Sequence, residues 1–98
     1  MKIILSISAK PSKLMAYFIW IWAAKQDSED IPVEMINNKG SVSVEPGDYF
    51  IYWELYGSPG GFLACEVKKP DGKVVVAIKE PKIKDGKSFY ALVKTFKA

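Results

Sequence analysis

An antiparallel all-β sandwich of about seven or eight strands is the fold class the sequence predicts, and three observations carry it. Segments rich in β-branched and aromatic residues recur along the chain, clusters of turn-forming residues separate them at short intervals, and no stretch sustains the period of an amphipathic helix. The chain has 98 residues, 49% of them hydrophobic and 26% charged, which suits one sandwich domain over 1–98 with apolar material for a core.

The first strand candidate is Lys2–Ala9, KIILSISA, closed by Pro11, which fixes φ and removes a donor where the chain is expected to turn. The second is Leu14–Ala24, LMAYFIWIWAA, a run with no charge, no amide and no hydroxyl except that of Tyr17. Its isoleucines and aromatics are strand formers, so the two segments are expected to form an antiparallel hairpin. Lys25–Pro32, KQDSEDIP, is polar, acidic and proline-terminated, and reads as a loop.

Beyond it, breakers recur at Asn37–Gly40, Pro46–Asp48, Gly57–Gly61, Pro70–Gly72 and Asp85–Gly86. Between and after them lie VEMIN, SVSVE, YFIYWELY, FLACEVKK, KVVVAIKE and SFYALVKTFK, each of strand length. Asp71-Gly72 offers the positive φ of a tight hairpin turn, so Phe62–Lys69 and Lys73–Glu80 should pair antiparallel. Pro46–Trp53, PGDYFIYW, resembles the Pro-Gly-x-Tyr opening of a central strand in immunoglobulin-like and fibronectin-like sandwiches. That likeness implies such a sandwich with Trp53 turned inward, and carries no function.

Composition narrows the chemistry. All 14 basic residues are lysine, with neither arginine nor histidine present. Readers of nucleic acid rely on arginine's planar fork, so a nucleic-acid partner is not expected, and a net charge of +3 reads as a solvated lysine surface. The lone Cys65 excludes an internal disulfide and, with no histidine to act as its base, is read as a small buried hydrophobe. Thiolate and imidazole metal sites are excluded on the same counts, and no cofactor is expected.

Three further motifs have ordinary readings. Two of Glu34, Glu45, Glu54 and Glu66 would be needed for a paired-carboxylate hydrolase, with Glu54 and Glu66 on neighbouring candidate strands, but each fits the solvent side of a strand. Asp27, Glu29 and Asp30 cluster without the spacing or glycine of a calcium loop. Tyr56–Phe62, YGSPGGF, lacks the following helix or nearby lysine of a phosphate cradle and reads as an inter-strand loop.

The Leu14–Ala24 run is too short for a transmembrane segment: as a helix it would reach ~16 Å of a ~30 Å hydrocarbon layer. As a signal peptide it would place the bulky Trp22 before the cut, so no signal is expected and the cytoplasm is weakly favoured, the compartment being otherwise open. As a strand it is apolar on both faces, with Leu14, Ala16, Phe18, Trp20, Trp22 and Ala24 on one and Met15, Tyr17, Ile19, Ile21 and Ala23 on the other. Ile19 and Ile21 are assigned to the core with Trp53, leaving Phe18, Trp20 and Trp22 outside.

Something should cover that outer face. Self-association as a homodimer, or binding of another protein, is the first reading, and makes the chain a non-enzymatic interaction module. The alternative is a carbohydrate-binding platform in which Trp20 or Trp22 joins Tyr52 and Tyr56, with Asn37, Asn38 or Glu54 supplying polar contacts. The others are a loop such as KQDSEDIP folded over a purely structural cluster, and a shallow hydrophobic wedge into a membrane surface.

Overall fold

The computed structural model describes residues 2–25, 28–79 and 82–98. Asp27 of the acidic cluster and Glu80 at the end of KVVVAIKE lie outside them. Six strands form one antiparallel sheet: β1 (Ile3–Ala23), β2 (Ile31–Pro32), β3 (Lys39–Val44), β4 (Asp48–Lys68), β5 (Val74–Ile78) and β6 (Phe89–Lys97). Among the described residues no helix is long and apolar enough to cross a membrane.

The expected hairpin of Lys2–Ala9 with Leu14–Ala24 does not form, because both segments belong to β1, a single strand of 21 residues. YFIYWELY and FLACEVKK likewise join through the glycine-rich stretch into β4, also of 21 residues. The strand count therefore falls to six, in one curled sheet rather than the two sheets of an immunoglobulin-like arrangement. VEMIN forms no strand of its own: Val33 donates its N–H to the Ile19 carbonyl of β1, and an isolated bridge, Ile36 to Lys39, closes a two-residue turn in which Asn37 and Asn38 hold positive φ of 54° and 62°. Asp71-Gly72 does turn the chain between β4 and β5, with Gly72 at φ 88° and the Asp71 carboxylate accepting from the Lys73 N–H at 2.9 Å.

Pro11 is tolerated inside a strand because of where its nitrogen faces. Ala9 donates its N–H to the Asn38 carbonyl on the β3 side, and Pro11, two residues on, faces the same way past the end of the β3 ladder. Its missing donor therefore breaks no sheet bond. Just beyond, the β1–β4 register slips twice around Lys13 and Leu14, with Lys13 left-handed at φ 59°. Opposite them Ser58–Gly61 bulge out of β4, where Gly60 donates to the Ile83 carbonyl and Ile83 donates to that of Gly61. Facing bulges are what bend both long strands at the same level.

The bend preserves which side chains face inward. Continuing the first register would set Ala16 opposite Ser58, whereas it pairs with Tyr56, an offset of two residues. Side chains alternate with a period of two, so an even offset keeps the odd-numbered residues inside on both sides of the bend. Leu5, Ile7, Leu63, Cys65 and Val67 from one half thus meet Ile19, Ile21, Ile51, Trp53 and Leu55 from the other in one core. Lys94 Nζ on β6 donates to the Ala77 carbonyl of β5 at 3.2 Å, linking the edges of the two halves.

Candidate functional site

The two halves carry opposite outer faces on the same pair of long strands. Around the first halves of β1 and β3 and the second half of β4, the outward residues include Ser6, Ser8, Lys10, Ser41, Ser43, Ala64, Glu66 and Lys68. Glu66 and Lys68 form an exposed ion pair at 3.5 Å. Past the bend the outward residues of β1 are Phe18, Trp20 and Trp22, and those of β4 are Phe50, Tyr52, Glu54 and Tyr56. β6 extends this face with Phe89, Ala91, Val93 and Thr95, paired with Tyr56, Glu54, Tyr52 and Phe50 respectively, and ends on it in Lys97 opposite Asp48.

Cross-strand register gathers the rings on one face, five in one contacting cluster and Trp22 with Phe50 as a separate pair. Trp22 stacks on Phe50 with centroids 5.4 Å apart, Trp20 tilts on Tyr52 at 5.7 Å, and Phe18 stacks on Trp20 at 5.9 Å. Phe18 also meets Tyr56 edge-on at 5.9 Å, and Tyr56 in turn touches Phe89 at 5.0 Å. Offset and edge contacts at these spacings favour the ring quadrupole, and they hold the side chains upright as a preformed surface. The layer is open to solvent: Phe18 is 48% exposed, Phe89 43% and Val93 52%.

One charge sits within the layer. Glu54 is half-buried between Tyr52 and Tyr56, its Oε2 accepting from the Tyr52 hydroxyl at 2.9 Å and its Oε1 from that of Tyr56 at 3.3 Å. Its lateral neighbours are Phe18 on β1 and Ala91 on β6. Both phenols are held above the ordinary tyrosine range, Tyr52 chiefly by its hydrogen bond to the Glu54 carboxylate, and Tyr56 by desolvation first and the Glu54 charge second.

No protein-family model, curated protein or solved structure matches the chain.

All five residues singled out in the sequence, Phe18, Trp20, Trp22, Tyr52 and Tyr56, lie on this face, while Ile19, Ile21 and Trp53 are buried beneath it. Phe50, Glu54, Phe89 and Val93 complete it and were not singled out as a set. For Phe50 and Glu54 a signal existed: with Trp53 inward, every even residue of YFIYWELY must point out. Phe89 and Val93 depend on the β4–β6 register, which no local pattern encodes.

Other candidate chemistry is dispersed. Glu54 and Glu66 sit on one strand, β4, on the outer faces of different halves, rather than on neighbouring strands facing each other. Asn38 is taken up by Tyr17, whose hydroxyl donates to its Oδ1 at 2.7 Å, and its turn, by the β3 edge, shares an open pocket with Phe18 at the margin of the ring face. YGSPGGF forms the β4 bulge instead of a loop. Burial pushes the Cys65 thiol up to about 11, against a smaller opposing contribution from the Trp53 indole N–H beside it. That N–H has no oxygen or nitrogen acceptor, and the sulfur is a weak one. A thiol held neutral in the core makes a poor nucleophile. Among the described residues no group of three His, Cys, Asp or Glu side chains converges as a metal site would require.

Proposed function

We propose that the protein is a non-enzymatic interaction module that pairs with a second copy of itself through the aromatic face of β1, β4 and β6. The observation that carries the reading is a face of seven rings, Phe18, Trp20, Tyr52, Tyr56 and Phe89 in one contacting cluster and Trp22 with Phe50 as a second pair, with no lysine among them in a chain of 14 and Lys97 only at the far end. Two copies of a net-positive chain repel least where neither presents a lysine. Aromatic enrichment and charge depletion are also the composition of interface centres. Seven residues of strand span ~23 Å, and the strands lie ~4.8 Å apart, so the layer makes a central patch that a rim could extend toward the ~800 Å² per partner of an ordinary dimer.

A carbohydrate platform is the second reading, favoured by one observation: Glu54 places a carboxylate among Trp20, Tyr52 and Tyr56, where it could accept from sugar hydroxyls. Sedimentation equilibrium of the wild type beside Trp20→Glu and Trp22→Glu, with circular dichroism to check folding, decides between them. Self-pairing predicts a wild-type dimer and folded monomeric variants. A wild-type monomer would refute it and direct the next experiment to a glycan array. Unfolding of both variants would assign the tryptophans to structural support alone.

A further inference from the structure

Among the described residues Glu54 is the only charged side chain between the rings, and it lies near the middle rather than at the rim. Every element around it is uncharged on this face. β1 presents Phe18 and Trp20, β6 presents Phe89, Ala91 and Val93, and β4 presents Tyr52 and Tyr56 as the only other titratable groups. Lys94 of β6 lies on the opposite face, paired with Ile51, and donates to the Ala77 carbonyl; Lys97, the β6 lysine on this face, sits at its far end opposite Asp48 rather than beside Glu54. In the free protein water solvates whatever the two phenols leave open. Covering the layer with a second apolar surface removes that water and leaves a carboxylate with two hydroxyl donors and no cation, which is costly for the ion and far less so for the neutral acid.

We propose that pairing through this face is coupled to proton uptake by Glu54, so that the dimer tightens as the solution becomes mildly acidic. This deepens the self-pairing reading and rests on it. Each carboxylate takes one proton from solvent, forming an O–H bond at one oxygen; the phenol that donated to that oxygen turns to accept from it or releases it, while the other keeps its bond. The phenols stay neutral throughout, since the ordinary tyrosine range lies well above the mildly acidic solution that protonates Glu54. By linkage, each proton taken up on pairing strengthens the dimer by about tenfold per unit fall in pH over the window in which only the paired state is protonated.

Asp48 lies on the same face at the start of β4, opposite Lys97 and away from Glu54, so the test must separate its titration. Sedimentation equilibrium between about pH 5 and about pH 8 on wild type and Glu54→Gln does so. The amide keeps the size of the side chain and an acceptor for the phenols but cannot titrate. The expected result is a wild-type Kd that falls at least about tenfold over the range and a Glu54→Gln dimer that is tighter at neutral pH and nearly flat. A wild-type dimer whose Kd does not change, or a variant with the full wild-type slope, overturns the proposal while leaving self-pairing intact. Monomers at every pH overturn both.

Discussion

Gly57→Ala tests the bend directly. A Cβ at Gly57 would lie 2.6 Å from the Lys13 carbonyl oxygen and 2.9 Å from the Leu14 Cα. Both are backbone atoms, so no side chain can rotate away, and β1 must retreat from β4 by well over half an ångström toward an ordinary contact. Gly57 does not hold positive φ, so the cost is steric rather than conformational. Overpacking of this kind costs ~1–3 kcal/mol, while alanine's smaller unfolded-state entropy returns ~0.4–1. Because neither neighbour can yield, the expected net loss is ~2 kcal/mol, or a Tm lowered by roughly 8–16 °C for a domain of this size. Gly61→Ala meets the same oxygen at 2.7 Å and should cost as much. Since both substitutions push on Lys13, one displacement of β1 relieves both, and the double variant should lose less than the two losses combined. Urea denaturation followed by circular dichroism and tryptophan fluorescence measures all three. A Gly57→Ala protein within about 0.5 kcal/mol of wild type would refute close backbone packing as the origin of the bend.

Two further outcomes follow from the core. The Cys65 thiol ionises at about 11 in the fold against 9.0 ordinarily, so it contributes stability that is fully present below pH 9.0 and lost as pH rises toward about 11; thermal melts across that window should show a loss on the order of 3 kcal/mol that Cys65→Val lacks. Trp53, fully buried, should cost ~3–5 kcal/mol as Trp53→Ala, and distinctly less as Trp53→Phe, which leaves a smaller void; both variants remove the indole N–H, so equal losses by denaturant titration would show that the void does not set the cost.

The residues that decide the inward faces were legible in sequence, and those that decide connectivity were not. Trp53 flanked by Ile51 and Leu55 announces a buried row, and the alternation of YFIYWELY then fixes its outward row by geometry alone. Pro11 and Gly57–Gly61 look like ends of strands because a proline lacks a donor and glycines favour turns. In the fold the proline meets an edge with no partner strand, and the glycines let two backbones approach at a shared bulge. Breakers read as bulges only when two of them face each other, and the register that makes them do so involves residues some fifty apart in the chain. The same limit hid Phe89 and Val93 from the aromatic face, since their membership is conferred by pairing with β4.

The contrast between the two outer faces separates support from association. β1 and β4 run through both halves, yet outward positions filled by Ser6, Ser8 and Lys10 before the bend are filled by Phe18, Trp20 and Trp22 after it. The fold therefore tolerates small and polar residues at outward positions of these strands, and ring stacking is an addition to it. Replacing Phe18, Trp20 and Trp22 together by threonine keeps strand propensity and removes four ring contacts, Phe18 with Trp20 and Tyr56, Trp20 with Tyr52, and Trp22 with Phe50. At ~0.2–1 kcal/mol for each of the three cross-strand contacts among them, the monomer should lose ~1–3 kcal/mol, within the ~5–15 kcal/mol that folded domains commonly hold. If the face pairs with a copy of itself, the wild-type Tm must also rise with protein concentration, because only the folded chain can dimerise, and the triple variant must lose that dependence while still folding. A variant that folds and a wild-type Tm that ignores concentration would mean the rings stabilise the sheet and attract no second copy.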